Sequence, residues 1–286
     1  MTQTMSELYP EYLKVPAVDL GEGTTVEVEV VKGMDEIADA MAAEMMAVVD
    51  EAQAEGLQAT LIIPVGPVDQ FPVLAEMINR ERKDWREVML INMDEYLTED
   101  DEWIPADHPL SFRGYMDRKF YDLIDPELAP SPENRVFPDP GDLSQIQTLI
   151  DSRGGVDACF GGIGINGHMA FNEPPEPGEI CSAEEFAARP TRNLDLSRET
   201  ATINSVTVGG GLAVIPRRAT TVGMREILAS KKMRFYCNRP WQSVVVRLVL
   251  HEPVGAACPA SFMQNHVDAR LTVAEYVAAL PDIGLR

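Results

Sequence analysis

The chain has 286 residues, 45% of them hydrophobic, and a formal net charge of −22. That length and apolar content supply core for one large α/β domain or two small ones, and they set the chain apart from disordered sequences. The acidity argues against a nucleic-acid binder and against anionic membrane surfaces, and any bound anion needs its own local positive charge.

Four cysteines (Cys159, Cys181, Cys237, Cys258) stand far apart with no C-x-x-C pair. Neither a zinc site nor a disulfide framework is signalled, and scattered thiols suit a reducing compartment. The stretch from Met1 to Pro16 is acidic and lacks the apolar centre of a signal peptide. The longest apolar runs fall far short of a membrane span. The expectation is a soluble cytoplasmic protein with no membrane and no nucleic-acid partner.

In chain order, Thr24 to Val31 alternates as a strand does, and Met34 to Ala54 has helical spacing rich in Ala, Met and Glu. Ala59 to Val65 reads as a second strand, Gln70 to Arg80 as a helix and Val88 to Met93 as a third strand. A loop of acids and prolines follows from Thr98 to Pro109; Ser111 to Leu123 and Leu143 to Ser152 are helical, and Val156 to Phe160 is the fourth strand. From Glu173 to Arg192 the pattern dissolves into Pro, Glu and small residues, as in a lid or surface excursion. Periodicity returns at Thr220 to Gly223, in a helix from Arg225 to Ser230 and in a strand from Met233 to Cys237. Ser243 to Leu250 and Leu271 to Leu280 look like closing helices. Alternating strands and helices imply a Rossmann-like α/β fold, an open, mostly parallel sheet with helices on both faces. With no repeat or linker, one domain over 1–286 is expected, with 1–20 as an N-terminal extension and 174–192 as a lid or insertion.

Chemistry concentrates after the fourth strand, in Gly161-Gly162-Ile163-Gly164-Ile165-Asn166-Gly167-His168-Met169-Ala170-Phe171-Asn172-Glu173-Pro174. Ligands in open α/β sheets bind at the carboxyl ends of strands. Gly162-x-Gly164-x-x-Gly167 matches the dinucleotide fingerprint in form, but prolines and no helical pattern follow it, whereas the fingerprint needs a helix N-terminus for the pyrophosphate. Asn92-Met93-Asp94-Glu95-Tyr96 places two carboxylates at the end of the third strand; a solvated loop start is the alternative. A carboxylate base and an imidazole acid at neighbouring strand ends are the pair needed to move protons on a sugar. Glu173 beside His168 orients the ring as a proton donor and acceptor; a purely structural histidine and a metal site on His168, Glu173 and Asp94 are the competing readings. His108, His251 and His266 show no metal-ligand spacing.

These motifs, with His108-Pro109-x-Ser111-Phe112, Thr221-Val222-Gly223-Met224 and Pro259-Ala260-Ser261-x-x-Gln264-x-His266, resemble the glucosamine-6-phosphate deaminase (isomerase) family over roughly residues 25–280. The related 6-phosphogluconolactonases share the Gly-His part but not Phe-Asn-Glu-Pro. The resemblance implies a cofactor-free reaction without a metal: ring opening of an aldose amino sugar, isomerisation to the ketose imine, and hydrolytic loss of ammonia. It implies that His168 protonates the ring oxygen, that Glu173 polarises His168, that Asp94 carries the proton from C2 to C1, and that Asn166 supports the ring. An amide at 166 stabilises an imidazolium less than a carboxylate does. Gly66, Glu95, Gly164, Gly167, Arg239 and Trp241 are the substrate-binding positions it points to. A small-molecule sugar is the expected partner, and family members are often homo-oligomers.

The chain departs from the resemblance where the family binds phosphate. The loop Pro64-Val65-Gly66-Pro67-Val68-Asp69 has no hydroxyl, Pro67 lacks an N–H, and Asp69 adds negative charge. Val206 stands where an arginine is expected and Trp241 where a lysine is, with Arg239 two residues away. Arg192, Arg198, Arg217 and Arg218 are further cations that a rebuilt phosphate site would draw on. A sugar other than the standard 6-phosphosugar is therefore expected. Trp241 either stacks on a sugar face or packs as core. The rivals are a lactonase that activates water with His168, and a non-catalytic sugar-binding regulator.

Overall fold

The structure, a computed structural model, describes residues 9–66 and 69–284. Strand β1 (Glu27–Val31) leads into helix α1 (Met34–Ala54), whose Ile37, Met41, Met45, Val49 and Ala52 form one buried stripe. Next come β2 (Thr60–Ile63), α2 (Gln70–Glu81), β3 (Met89–Asn92), β4 (Asp94–Leu97), α3 (Phe112–Lys119), β5 (Arg135–Val136), α4 (Gln145–Arg153) and β6 (Ala158–Gly161). The second half adds α5 (Ala183–Ala187), β7 (Arg192–Asp195), α6 (Arg198–Thr207), β8 (Arg218–Thr221), α7 (Met224–Leu228), β9 (Lys232–Cys237), α8 (Gln242–His251), β10 (Ala269–Ala274) and α9 (Glu275–Ala278).

Seven strands form one sheet in the order β1-β10-β9-β6-β2-β3-β5. Every pairing in it is parallel. The central strands β2, β3 and β6 are buried throughout, which parallel sheets require because helices cover both faces. From β2 the chain steps outward to β3 and β5, then returns to β6 and steps the other way to β9 and β10. Right-handed crossovers in opposite directions put their helices on opposite faces. The reversal makes the β2/β6 boundary a topological switch point, where the strand ends leave a crevice. β4, β8 and β7 form a separate three-stranded antiparallel sheet, in which Asp94 pairs with Thr221.

Two expectations need correction. Leu271 to Leu280 is not a closing helix: its first four residues end β10, and one helical turn, Glu275–Ala278, follows. Between β1 and β9 this run is buried on both faces, and a short apolar run does not reveal its period. The stretch 193–219, unassigned from sequence, holds β7, α6 and β8. Helix α6 has an N-cap signal that reveals it: the Ser197 hydroxyl accepts from the Thr200 N–H.

The N-terminal segment is tied down by Arg247, a fully buried residue whose guanidinium donates to the Val15, Ser243 and Ala278 carbonyls. Within 174–192, α5 carries a capping box from Ser182 to Glu185, and its fully buried Phe186 stacks on Phe262. Among the described residues no helix is long and apolar enough to cross a membrane.

Candidate active site

A cavity of about 370 Å³ opens over the carboxyl ends of the sheet, within the size range of small-molecule sites. Four adjacent strands feed its wall: Asn238 and Arg239 follow β9, Gly162 and Gly164 follow β6, Pro64 and Gly66 follow β2, and Met93 and Asp94 follow β3. Tyr96, Phe112 and Phe171 close it with a ring cluster, centroids 4.9–6.3 Å apart.

The glycine run after β6 folds into a tight loop, not a helix start. Gly164 N donates to the His168 carbonyl and Gly167 N to the Gly164 carbonyl, both at 3.0 Å. Gly167 has φ +84, and a Cβ there would lie 2.5 Å from Cys258 Sγ. A Cβ at Gly164 would lie 2.1 Å from His168 Nε2, so the imidazole rests directly against the glycine backbone. Both glycines are required by close approach, and Gly164 shares the cavity wall with His168.

His168 is held through Nδ1, which lies 2.8 Å from Asn166 Oδ1, 3.2 Å from Thr200 Oγ1 and 3.3 Å from Glu173 Oε2. Asn166 Nδ2 donates to Glu173 Oε2 at 2.6 Å, so the amide bridges ring and carboxylate. Ser197 adds its hydroxyl at 3.0 Å from Glu173 Oε2. Burial pushes the Glu173 carboxyl up, but its hydrogen bond to His168, the His168 charge and bonds from Asn166 and Thr200 outweigh that and hold it at about 2. With Nδ1 engaged by these oxygens, Nε2 is the nitrogen left for a ligand. The buried Asn172 fixes the turn before Glu173 by donating to the Met169 and Val222 carbonyls and accepting from Arg192.

Asp94 contrasts with this network. It is buried on the cavity wall, and its Oδ1 is shielded from solvent with no hydrogen-bond partner among the described residues. Burial, and then the adjacent Glu95 charge, push the Asp94 carboxyl well above the usual carboxylate range. A carboxylate so poorly stabilised is a stronger base than one in water.

Glu95, expected to touch substrate, does not line the cavity. Successive strand residues face opposite ways, so with Asp94 and Tyr96 turned inward Glu95 turns out. It is fully buried and accepts from Ser111 Oγ, the backbone N–H groups of Tyr96, Phe112 and Arg113, and Arg113 Nε. Its task is to satisfy the start of α3.

The structure places Gly66, Gly164, Arg239 and Trp241 on the cavity wall, with Gly167 behind it against Cys258. Trp241 is half-buried at the N-cap of α8, so the core reading does not apply to it. Val206 is 68% exposed and off the wall; Asn204 and Val208 of the same region line it instead. Arg192, Arg198, Arg217 and Arg218 also stay off it, Arg218 being paired with Asp101 and Asp195. Pro67 and Val68 lie outside the described residues, and no residue of 174–192 reaches the cavity wall. Among the described residues no cluster of His, Cys, Asp or Glu is placed to hold a metal ion. Sequence reasoning missed Ser197, Thr200 and Asn204, all brought in by α6; Asn204 donates to the Tyr96 hydroxyl at 2.9 Å.

No family model matches the chain. Curated relatives do match. Glucosamine-6-phosphate deaminase of Serratia proteamaculans is 32% identical over 72% of this chain and 74% of its own length. The enzymes of that name from Rhodopirellula baltica (30%, covering 76% and 81%) and Caenorhabditis elegans (26%, covering 81% and 83%) match similarly. Among solved structures, a monomeric glucosamine-6-phosphate deaminase superposes with a TM-score of 0.76 at 24% identity, covering 89% of this chain and all of that one. A 6-phosphogluconolactonase from Trypanosoma cruzi superposes at 0.64 and 15% identity, covering 88% and 96%, a likeness of fold alone. The fold and these relatives together place the chain, as an enzyme, in the glucosamine-6-phosphate deaminase family.

Proposed function

We propose that the protein is an aldose–ketose isomerase and deaminase of an amino sugar. The observation that carries this reading is the pairing, in one cavity, of a buried carboxylate at Asp94 with an imidazole at His168 whose Nδ1 is anchored. His168 Nε2 takes the proton of the anomeric hydroxyl and delivers it to the ring oxygen as the bond from C1 to that oxygen breaks, which opens the ring and leaves a C1 aldehyde. Asp94 then takes the C2 proton, and a proton from water adds to the carbonyl oxygen to form an enol that keeps the amine at C2. Asp94 returns the proton to C1, leaving an imine at C2. Water adds to that imine and ammonia departs, giving the ketose. Asn166 and Glu173 are positioning residues that hold His168 through Nδ1. No cofactor enters these steps.

The lactonase reading needs a water-activating base and has no use for Asp94, so the shielded carboxylate favours the deaminase. The test is ammonia release, with exchange of the C2 proton into deuterated water, by wild type and Asp94→Asn. Ammonia and exchange lost together in the variant support the reading. Lactone hydrolysis without ammonia release sinks it, and so does sugar binding without any turnover, which fits the non-catalytic regulator.

A further inference from the structure

We propose, resting on the functional reading above, that the cavity takes an amino sugar whose far end carries no phosphate. Asp94 enters from the β3 side and Arg239 from the β9 side, with β2 and β6 between. Three strand spacings separate them, roughly 14 Å. The far end of a sugar worked on at Asp94 thus meets whatever β2 and β9 present.

A phosphate needs concentrated positive charge, because it brings a charge of roughly −1.5 to −2 and three strong acceptors. Among the described residues Arg239 is the only Lys or Arg on the cavity wall. At the switch point an anion's ordinary seat is the N-terminus of the helix after β2. Here Asp69 stands at the N-cap of α2, its side chain capping no N–H among the described residues, so the chain already puts a negative charge there. That charge reaches the cavity: after burial, it is what raises the phenol of the wall residue Tyr115. Val65, Leu110, Val208, Ile215 and Trp241 give the wall apolar surface suited to the C–H faces of a sugar, and the neutral Asn204, Asn238 and Gln242 that line it too can meet hydroxyls but bring no charge to replace the hydration of a dianion. The net charge of −22 opposes a dianion at long range as well.

The test uses the full-length protein with glucosamine and glucosamine 6-phosphate, following ammonia release. The two matching 2-amino sugar alcohols, which cannot isomerise, serve as calorimetric ligands. The expected result is a kcat/KM at least about tenfold higher for the free sugar and tighter binding of the free alcohol. A kcat/KM favouring the phosphate, with its KM rising as salt is added, overturns the proposal. If neither sugar releases ammonia or exchanges its C2 proton, the functional reading fails, and the alcohols still decide the question of recognition. Tighter binding of the free alcohol then upholds the absence of phosphate; tighter binding of the phosphate, or no binding of either, overturns it. Asp69→Asn supplies a second measure, because Asp69 is exposed. It should lower KM for the phosphate about two- to fivefold, the range one charge at a helix N-terminus commands. An unchanged KM removes Asp69 from the exclusion of phosphate.

Discussion

On one flank of the cavity His168, Asn166, Glu173, Ser197 and Thr200 hold one another through hydrogen bonds of 2.6 to 3.3 Å. On the other flank Arg239, with no bond to its guanidinium among the described residues, shares the wall with Val65 and Trp241. In the proposed mechanism the first flank pre-sets the geometry of a proton donor and so spends little reorganisation at the moment of reaction. The second offers shape and apolar surface, which select by what they fail to stabilise. Between them Asp94 owes its basicity to burial and then to the adjacent Glu95 charge, with no hydrogen bond at Oδ1 among the described residues to offset them.

The contrast can be broken in four places. Asp94→Asn should lower kcat by about 10³-fold while leaving Tm unchanged or higher, since it removes a buried carboxyl without a partner at Oδ1. The base form is lost as pH falls through its raised pKa, so the acid limb of the wild-type kcat/KM profile should lie above the ordinary carboxylate range. Retained activity in Asp94→Asn would end the contrast.

Next in size, Glu95→Ala should destabilise by about 3 kcal/mol, because it strands the buried start of α3 and Arg113. Tm should fall by roughly 5–10 °C, with kcat of the folded enzyme within a few-fold of wild type. A large kcat loss with unchanged Tm would instead return Glu95 to the substrate.

Glu173→Gln probes the hydrogen-bonded flank through pH. The Glu173 pKa is depressed to about 2 from an ordinary 4.5, so its stabilisation is complete above pH 4.5 and is lost as pH falls through about 2. The shift corresponds to on the order of 3 kcal/mol. Urea unfolding should show the wild-type advantage over Glu173→Gln shrinking across that window; a constant difference would mean the network does not hold the carboxylate ionised. Smallest, Gly164→Ala should cost about 10²-fold in kcat with little change in Tm, as a Cβ displaces the His168 ring. Full activity would show that the ring does not need its seat on Gly164.

The sheet and most of its helices were legible because their apolar periods are plain, as in the buried stripe of α1 and the fully buried β2 and β3. β10 was misread because a strand covered on both faces has no alternation to display. α6 went unread in a stretch with no apolar run, although Ser197 marked its start. Of the candidate site, Asp94, His168, Asn166 and Glu173 were legible from residue type, order and family resemblance. Glu95 was misplaced because adjacent residues on a strand take opposite faces, and which face meets the cavity depends on the pairing of β4 with β8.

By itself, then, the sequence determined which residue types stand at the carboxyl ends of the strands, and that a glycine loop precedes His168. Those are properties of local order, set by spacing and by the absence of a Cβ. Tertiary structure alone decided which groups meet. It set Thr200 and Ser197 against the His168–Glu173 pair, took Val206 out of the wall, and left Arg239 as its one Lys or Arg among the described residues. Charge balance and desolvation depend on neighbours brought together from distant parts of the chain, and no window of sequence contains them.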